Sequence, residues 1–205
     1  MVKIAVLVSG NGSNLQALID AQIGGDIPKG KIVMVLSSCS DAYALVRAQN
    51  AGIETAVVQR KNFTQGSQFD NAILTVLRQS EAEVVVLAGF MSILGSDIID
   101  EFQNRIINVH PSLIPSFCGK GCYGIKVHRD VINSGVKVTG ATVHFVNEIP
   151  DGGKIILQKA VDVAEDDTPE TLQSKVMSQA EWIILPKATA QLCEKIYDDK
   201  ISNSN

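Results

Sequence analysis

The sequence lacks the features that characterise membrane, secreted and nucleic-acid-binding proteins. No apolar run reaches the roughly 20 residues of a membrane-spanning helix, and Met1–Lys3 leads directly into a predicted strand, unlike a signal peptide. The chain has 18 lysine and arginine residues against 22 aspartate and glutamate residues, a formal net charge of −4, and its basic residues form no cluster. We therefore expect a cytoplasmic protein that binds neither nucleic acid nor membrane.

Cysteine is scarce and scattered. The four cysteines are Cys39, Cys118, Cys122 and Cys193. Cys118 and Cys122 form one close pair in the sequence, but no second pair completes a tetrahedral metal site. In a reducing compartment free thiols are the expected state. The sequence therefore predicts four free thiols and no metal site.

Signatures of two other enzyme classes are also missing. The glycine-rich stretch SGNGSN has Leu15 where a dinucleotide-binding fingerprint has its third glycine. The second predicted strand ends at Ser37–Cys39, without the acid that would hold a ribose. No serine has the G-x-S-x-G setting of a nucleophile elbow. A nicotinamide cofactor and covalent catalysis are therefore not expected.

The sequence does contain a regular alternation of apolar β-branched segments with helical patterns. The predicted strands are KIAVLV (Lys3–Val8), KIVMVLS, ETAVVQ, EVVVLAGF and IINV (Ile106–Val109). This order predicts a doubly wound, mostly parallel α/β sheet with helices on both faces. Two longer segments, VKVTGATVHFV and GKIILQKAVDV, are joined by Asn147–Gly153 and predict an antiparallel ribbon, which gives about seven strands in all. With no repeat and no linker, the chain is expected to form one domain over residues 1–205.

The last helical segment has a well-marked start. Thr168 supplies a capping hydroxyl, Pro169 occupies the first helical position, and Glu170 places an acid in the first turn. The helix is expected to run through Trp182 and to be kinked or divided at Pro186.

The stretch Ser9–Asn14 lies between the first predicted strand and the first predicted helix. At this place in a doubly wound fold, glycine lets backbone N–H groups approach a phosphate, and the helix N-terminus favours the negative charge. The alternative is an ordinary Gly-Asn turn capped by Ser13. The pattern favours phosphate binding.

A second candidate site lies in NVHPSLIP, where the fifth strand ends in an amide and an imidazole. Ligands of open α/β sheets bind outside the carboxyl ends of the strands, and Gly10, Gly89, Asn108 and His110 belong to that edge. His110 is therefore the histidine with the strongest case for chemistry. Taken alone, Asn108 is as well explained as a turn residue.

The other two histidines have structural interpretations. His128 starts a helical segment and is expected on a solvated face. His144 shares one face of its strand with Thr142 and Val146 and is expected to be buried and hydrogen-bonded.

A carboxylate is needed to orient or charge the His110 imidazole, and Asp151 is the best-placed candidate. Because Asp151 follows a strand that runs opposite to the others, its loop is expected to return to the same edge. The alternative is that Pro150–Gly153 is only a hairpin turn. Sequence spacing alone leaves both possibilities open.

Five segments, in this order and at this spacing, closely resemble the phosphoribosylglycinamide formyltransferases, the glycinamide ribonucleotide transformylases of purine biosynthesis. They are VLVSGNGSNLQALID, VVVLAGFMSIL, INVHPSLIPSF, GATVHFV and DGGKIILQ, and the likeness runs from Lys3 to about Lys195. The resemblance implies the formyltransferase fold. It also implies transfer of a formyl group from 10-formyltetrahydrofolate, as co-substrate, to the amine of N1-(5-phospho-D-ribosyl)glycinamide. A monomer or a homodimer is expected.

The resemblance also implies roles for individual residues. The catalytic residues would be Asn108, His110 and Asp151, supported from the neighbouring strand by Thr142 and His144. The substrate site would contain Asn11, Gly12, Ser13, Asn14, Gly89, Met91, Pro111 and Glu181. The folate pocket would contain Met91, Ser92, Ile93, Leu94, Ile99, Val146, Asn147, Glu148, Ile149, Pro150 and Asp151. The chain would then divide into a Rossmann-like phosphate-binding half, about 1–100, and a catalytic and folate-binding half, about 101–198.

The glycine-rich segment Ser116–Lys126 follows His110 and is predicted to be a mobile lid. The resemblance implies a cis peptide bond at Ile114–Pro115. The family often carries an arginine near the phosphate, about where Gly66 stands here, so phosphate binding is expected to depend more on backbone N–H groups.

Other functions remain as alternatives. Methionyl-tRNA formyltransferase shares the three catalytic residues but adds a C-terminal RNA-binding domain, and formyltetrahydrofolate hydrolase adds an N-terminal regulatory domain. The length and acidity of this chain favour neither. A non-catalytic nucleotide-binding module is the alternative from a different class.

Overall fold

The computed structural model describes residues 1–203, and strands and helices alternate along them. The strands are β1 (Val2–Val8), β2 (Gly30–Ser37), β3 (Glu54–Val57), β4 (Val84–Leu87), β5 (Ile106–His110), β6 (Val138–Phe145) and β7 (Ile155–Asp162). The helices are α1 (Ser13–Gly24), α2 (Tyr43–Asn50), α3 (Gly66–Gln79), α4 (Ser96–Glu101), α5 (Ile125–Ser134), α6 (Pro169–Val176) and α7 (Trp182–Ser202). Within the described residues, no helix combines the length and the apolar character needed to cross a membrane.

All the strands form one seven-stranded sheet in the order β3-β2-β1-β4-β5-β6-β7. β1 to β5 are parallel, whereas β6 pairs antiparallel with β5 and with β7. The predicted doubly wound sheet with an antiparallel ribbon is therefore confirmed. The chain winds outward in opposite directions from the centre at β1 and β4, which leaves a crevice at the carboxyl ends of the neighbouring strands.

The core consists of two apolar clusters, one on each face of the sheet. The first cluster joins α1, α2, α6 and α7 through residues such as Leu15 and Leu185, and the second joins α3 and α4 through Phe69 and Ile98. Alternate residues of β5 face opposite clusters, and Ile106 faces the second one. Asn108 and His110 follow Ile106 at intervals of two residues, so their side chains point to the α3–α4 face.

The C-terminal helix begins as predicted but is interrupted at a different place. The Thr168 hydroxyl accepts a hydrogen bond from the Thr171 N–H at 3.2 Å, and the Thr171 hydroxyl accepts one from the Thr168 N–H at 2.9 Å. Of the two predicted effects of Pro186, a kink or a division, the division is wrong, because Pro186 lies inside α7 and the interruption is a π-helical turn at Met177–Glu181.

Candidate active site

Asn108 and His110 share a polar face with two residues of the adjacent strand. Antiparallel pairing places His144 directly opposite Asn108 and Thr142 directly opposite His110. His110, Thr142 and His144 are all buried, with exposed fractions of 4%, 0% and 2%. The hydroxyl of Thr142 donates to the Ser112 carbonyl oxygen at 2.7 Å and so ties β6 to the segment that follows His110.

Asp151 reaches His110 by a route that differs from the predicted one. β6 ends beside the beginning of β5, where Phe145 pairs with the second residue of that strand. The connection Asn147–Gly153 therefore starts at the amino end of the parallel strands, and the expectation based on strand direction was wrong. The segment folds back across the sheet face, which places Asp151 Oδ2 3.5 Å from His110 Nδ1 and Asp151 Oδ1 3.6 Å from His144 Nε2.

Both ring nitrogens of His110 face acceptors. Nε2 lies 2.9 Å from the carbonyl oxygen of Phe117, which has no proton to give, so Nε2 is the donor in this bond. Nδ1 faces the Asp151 carboxylate. Both neighbours of the His110 ring are therefore hydrogen-bond acceptors.

His144 holds the amide of Asn108. The His144 Nδ1 lies 2.8 Å from the backbone carbonyl oxygen of Phe145 and donates to it. The other ring nitrogen, Nε2, lies 3.2 Å from the Asn108 Nδ2 and 3.6 Å from Asp151 Oδ1. The predicted buried, hydrogen-bonded state of His144 is confirmed, and its contact fixes the orientation of the Asn108 amide beside His110.

Asp151 is held in its ionised form. Burial by itself would raise the pKa of this carboxyl group. The His144 imidazole, the Gly119 N–H donating at 2.8 Å and the charge of His110 together outweigh burial and lower the pKa of Asp151 below its ordinary value. Asp151 is therefore an anion at neutral pH, and its carboxylate faces the His110 ring.

Two strained residues hold these acceptors against His110. Phe117 has φ 52° and Asp151 has φ 56°, in the left-handed region that side chains other than glycine rarely adopt. Such a conformation costs on the order of 1 kcal/mol or more and tends to occur where function requires it. The segment that contains Phe117 also has the predicted cis peptide bond at Ile114–Pro115.

The loop Asn11–Asn14 has the geometry of an anion site. Gly12, with φ 78°, is the N-cap of α1, and no side chain caps the free N–H groups of the first turn. The alternative of a turn capped by Ser13 is not what the structure contains, because the Ser13 hydroxyl lies 3.7 Å from the sulfur of Met177.

Asn14 and Glu181 meet beside this loop. The Asn14 Nδ2 donates to Glu181 Oε2 at 2.6 Å, and both residues are buried. Burial raises the pKa of the Glu181 carboxyl group, and the hydrogen bond from Asn14 partly opposes that rise. Among the described residues the buried Asn14 Oδ1 has no hydrogen-bond partner, so a ligand donor fits there.

A cleft of about 130 Å³ lies next to the histidines. Of the residues predicted for the folate pocket, it is lined by Ser92, Ile93, Leu94, Val146, Asn147, Glu148, Ile149, Pro150 and Asp151. Leu87 and Phe90 were missed and also line it, as do Asn108 and His144. Leu87 is the last residue of β4 and pairs with Asn108, so the register of the sheet places it beside the site.

Four other predicted residues lie apart from that cleft. Ile99 packs in the α3–α4 core, and Met91 is 56% exposed, with its N–H donating to the Ser9 hydroxyl at 2.9 Å. Gly89 turns the chain after β4 with φ 75°, and Pro111 is half-buried directly after His110. In the described part of the chain, no group of three or more His, Cys, Asp and Glu side chains is arranged to hold a metal ion.

His128 lies in the interior, and the expectation of a solvated face was wrong. It is 1% exposed, and α5 buries it together with Val127 and Val131. The spacing of three residues between His128 and Val131 places both on one helix face, which is the signal that was overlooked. Burial, helped by the charge of His110, lowers the pKa of His128 to about 4.

The buried His128 should make the fold sensitive to acid. Its pKa is depressed in the folded chain, so the unfolded chain binds more protons between pH 4 and pH 6.5, and the free energy of unfolding falls as the pH drops through that window. The difference between 6.5 and about 4 corresponds to at most ~3 kcal/mol. Urea unfolding at pH 7 and pH 4.5 should therefore show a smaller pH effect in His128→Gln than in the wild type. Arg129→Gln, an exposed neighbour, should keep the wild-type difference, and equal pH effects in all three proteins would contradict the assignment.

A basic residue near the phosphate loop was also missed. Arg47 of α2 donates from Nε to the Asn11 carbonyl oxygen at 2.9 Å. No pattern in the sequence marks it, because an arginine in the middle of a helix is typical of a solvated face.

Comparisons with known proteins agree with this geometry. The formyl transferase family model matches residues 2–189. The phosphoribosylglycinamide formyltransferase of Haemophilus influenzae is 44% identical over 186 residues, which cover 91% of this chain and 84% of that protein. The trifunctional purine biosynthetic protein adenosine-3 of Homo sapiens is 42% identical over 186 residues, but these cover only 18% of that protein. The crystal structure of glycinamide ribonucleotide transformylase 1 from Symbiobacterium toebii superposes with a TM-score of 0.89 at 39% identity, over 95% of this chain and 89% of that one.

Proposed function

The chain belongs to the formyl transferase family, and we propose that it transfers the formyl group of 10-formyltetrahydrofolate to the amine of N1-(5-phospho-D-ribosyl)glycinamide in purine biosynthesis. The observation that carries this proposal is the meeting of two sites at one sheet edge. The anion-binding start of α1 follows β1, and the Asn108–His110–Asp151 cluster lies at the end of β5, with only β4 between these two strands. One domain in the cytoplasm, as a monomer or a homodimer, is part of the same proposal.

Formyl transfer needs donors at an oxygen that gains negative charge. The amine attacks the formyl carbon, the carbonyl oxygen becomes an oxyanion, and the bond from that carbon to the folate nitrogen then breaks. The Asn108 amide and the His110 imidazolium are the donors, since both project from the same face of β5. Asp151 keeps the imidazole charged and relays the proton released by the amine to the leaving nitrogen.

The phosphate end of the substrate has its own fixed partners. The free N–H groups of Asn11–Asn14 donate hydrogen bonds to the phosphate, and Glu181 with the unpaired Oδ1 of Asn14 accepts from the ribose hydroxyl groups. These contacts position the amine relative to His110. The cleft lined by Leu87 and Phe90 offers apolar contacts to the flat rings of the folate, and polar side chains such as Asn147 and Glu148 line it as well.

The segment Ser116–Lys126 has to move during the reaction. The Phe117 carbonyl oxygen accepts the hydrogen bond from His110 Nε2, and the Gly119 N–H donates to Asp151 Oδ2. Both groups are therefore already engaged by this segment. When the oxyanion forms, it takes the place of the Phe117 carbonyl at His110. The segment is thus proposed to act as the lid of the site.

One assay separates this function from its alternatives. Release of tetrahydrofolate from 10-formyltetrahydrofolate is measured with and without glycinamide ribonucleotide, and we expect release that depends on this acceptor. Equal release without an acceptor would identify a hydrolase, and release that requires methionyl-tRNA would identify the tRNA enzyme. Binding of the ligands without any release would identify a nucleotide-binding module.

A further inference from the structure

The guanidinium group of Arg47 is bound tightly to the phosphate loop. Nε donates to the Asn11 carbonyl oxygen at 2.9 Å, and Nη2 donates to Asn11 Oδ1 at 3.0 Å. Nη1 donates to Gln16 Oε1, in the first turn of α1, at 3.1 Å. Two bonds to one residue fix direction as well as distance, because the planar fork of arginine allows a single geometry. Arg47 therefore joins the loop to the helix that follows it.

The beginning of α2 presses against the same loop. The Ala44 N–H donates to the Gly10 carbonyl oxygen at 3.1 Å. A Cβ atom at Gly12 would lie 2.6 Å from the Ala44 Cβ and 2.8 Å from the Ala44 Cα, so the two backbones touch there. α2 thus holds the loop at three consecutive points, since Arg47 binds the residue between Gly10 and Gly12.

The charge of Arg47 is available to a ligand. The guanidinium carbon lies 5.0 Å from the centre of the Tyr43 ring, which orients the group without neutralising it. Arg47 is half-buried and lines an open groove of about 940 Å³ together with Ser13 and Gln16, so its guanidinium group is open to solvent beside the loop. The carboxylates Asp20, Asp26 and Glu194 line the same groove.

We infer that Arg47 is a positioning residue for the phosphorylated substrate: it holds Asn11–Asn14 in the binding conformation before the substrate arrives and places a fixed positive charge beside the phosphate. The inference deepens the proposed function and rests on it for the identity of the substrate. A loop that is already ordered loses less entropy on binding, so Arg47 acts on affinity. It touches no reacting atom and therefore leaves the chemical step unchanged.

Steady-state kinetics distinguish this role from a general structural one. Arg47→Met keeps the length of the side chain and removes the charge and the donors, whereas Arg47→Lys keeps the charge and loses the fork. Arg47→Met should raise KM for glycinamide ribonucleotide about 10- to 100-fold, the scale of losing hydrogen bonds to a charged group, with kcat and KM for the folate near wild type. For Arg47→Lys, KM for glycinamide ribonucleotide should lie between the values of the wild type and of Arg47→Met. Arg129→Met, at an exposed arginine, should have the wild-type KM. The inference would be overturned if KM for glycinamide ribonucleotide stayed unchanged. It would also be overturned if kcat fell while KM rose in parallel for both substrates.

Binding of ribose 5-phosphate, measured by isothermal titration calorimetry, tests the same role without catalysis. The wild type should bind it measurably more tightly than Arg47→Met, and binding of ribose should not differ between the two. If acceptor-dependent formyl transfer is absent from the wild type, the proposed function fails, and the calorimetry still decides the role of Arg47. If the transfer is present and both proteins bind ribose 5-phosphate equally, the role of Arg47 fails alone.

Discussion

Replacing Asp151 with asparagine should lower turnover by about a hundredfold or more and leave the fold intact. The carboxylate opposes the charge of His110 at 3.5 Å, and without it the imidazole becomes a weaker donor to the oxyanion. Asparagine is the appropriate replacement because it tolerates the left-handed backbone that Asp151 adopts at φ 56°. KM for glycinamide ribonucleotide should change much less than kcat, because Asp151 acts mainly on the transition state.

Matched variants separate the charge of Asp151 from its effect on the turn. Asp162→Asn removes an exposed carboxylate at the far end of β7 and should keep full activity. Asp151→Ala removes the charge and also strains the backbone, so it should lose on the order of 1 kcal/mol of stability that Asp151→Asn keeps. Turnover near wild type in Asp151→Asn would show that the residue only shapes the turn.

Double substitutions should show that the three residues act as one unit. Asn108→Ala and His110→Ala should each lower kcat on a scale similar to Asp151→Asn. When either is combined with Asp151→Asn, the fold decrease in kcat should be much smaller than the product of the two single decreases, since all three residues stabilise the same transition state. Multiplicative losses, measured as kcat in a double-mutant cycle, would contradict a shared oxyanion site.

Replacing Gly12 with alanine should abolish tight binding of the phosphorylated substrate. The new Cβ would meet the Ala44 Cα, a backbone atom, at 2.8 Å, and the backbone at φ 78° disfavours any side chain. The loop must shift, so we expect KM for glycinamide ribonucleotide to rise about tenfold or more, and a loss of about 1–3 kcal/mol in the free energy of unfolding. Steady-state kinetics and urea unfolding measure the two effects.

Gly10 supplies the control for this prediction. An added Cβ at Gly10 has nothing within 4 Å, so Gly10→Ala should unfold like the wild type. Combining Gly12→Ala with Ala44→Gly removes the contact between the two Cβ atoms but keeps the backbone strain, so it should recover the losses only in part. Unchanged binding and stability in Gly12→Ala would mean that α2 does not constrain the loop.

The strands and their alternation with helices could be predicted because buried parallel strands are continuous apolar runs in the sequence. The exceptions have local causes. α4 (Ser96–Glu101) was missed because it is too short to show a helical period. The interruption before α7 lies at Met177–Glu181, although Pro186 was the visible signal, because a proline near the start of a helix does not end it.

The sequence by itself indicated the candidates for the proposed chemistry, because Asn108 and His110 end a strand at the edge where open α/β sheets bind ligands. Only the tertiary structure showed which other residues contact them and the phosphate loop. Asp151 approaches over the sheet face, Arg47 binds a residue 36 positions away, and Glu181 meets a partner 167 positions away. No local sequence pattern predicts these contacts. A charged or amide side chain that binds a distant loop stands in the same kind of sequence as one that faces water. The packing of α2, of the Asn147–Gly153 connection and of the π-helical turn Met177–Glu181 brings these groups together, and the proposed function depends on that packing.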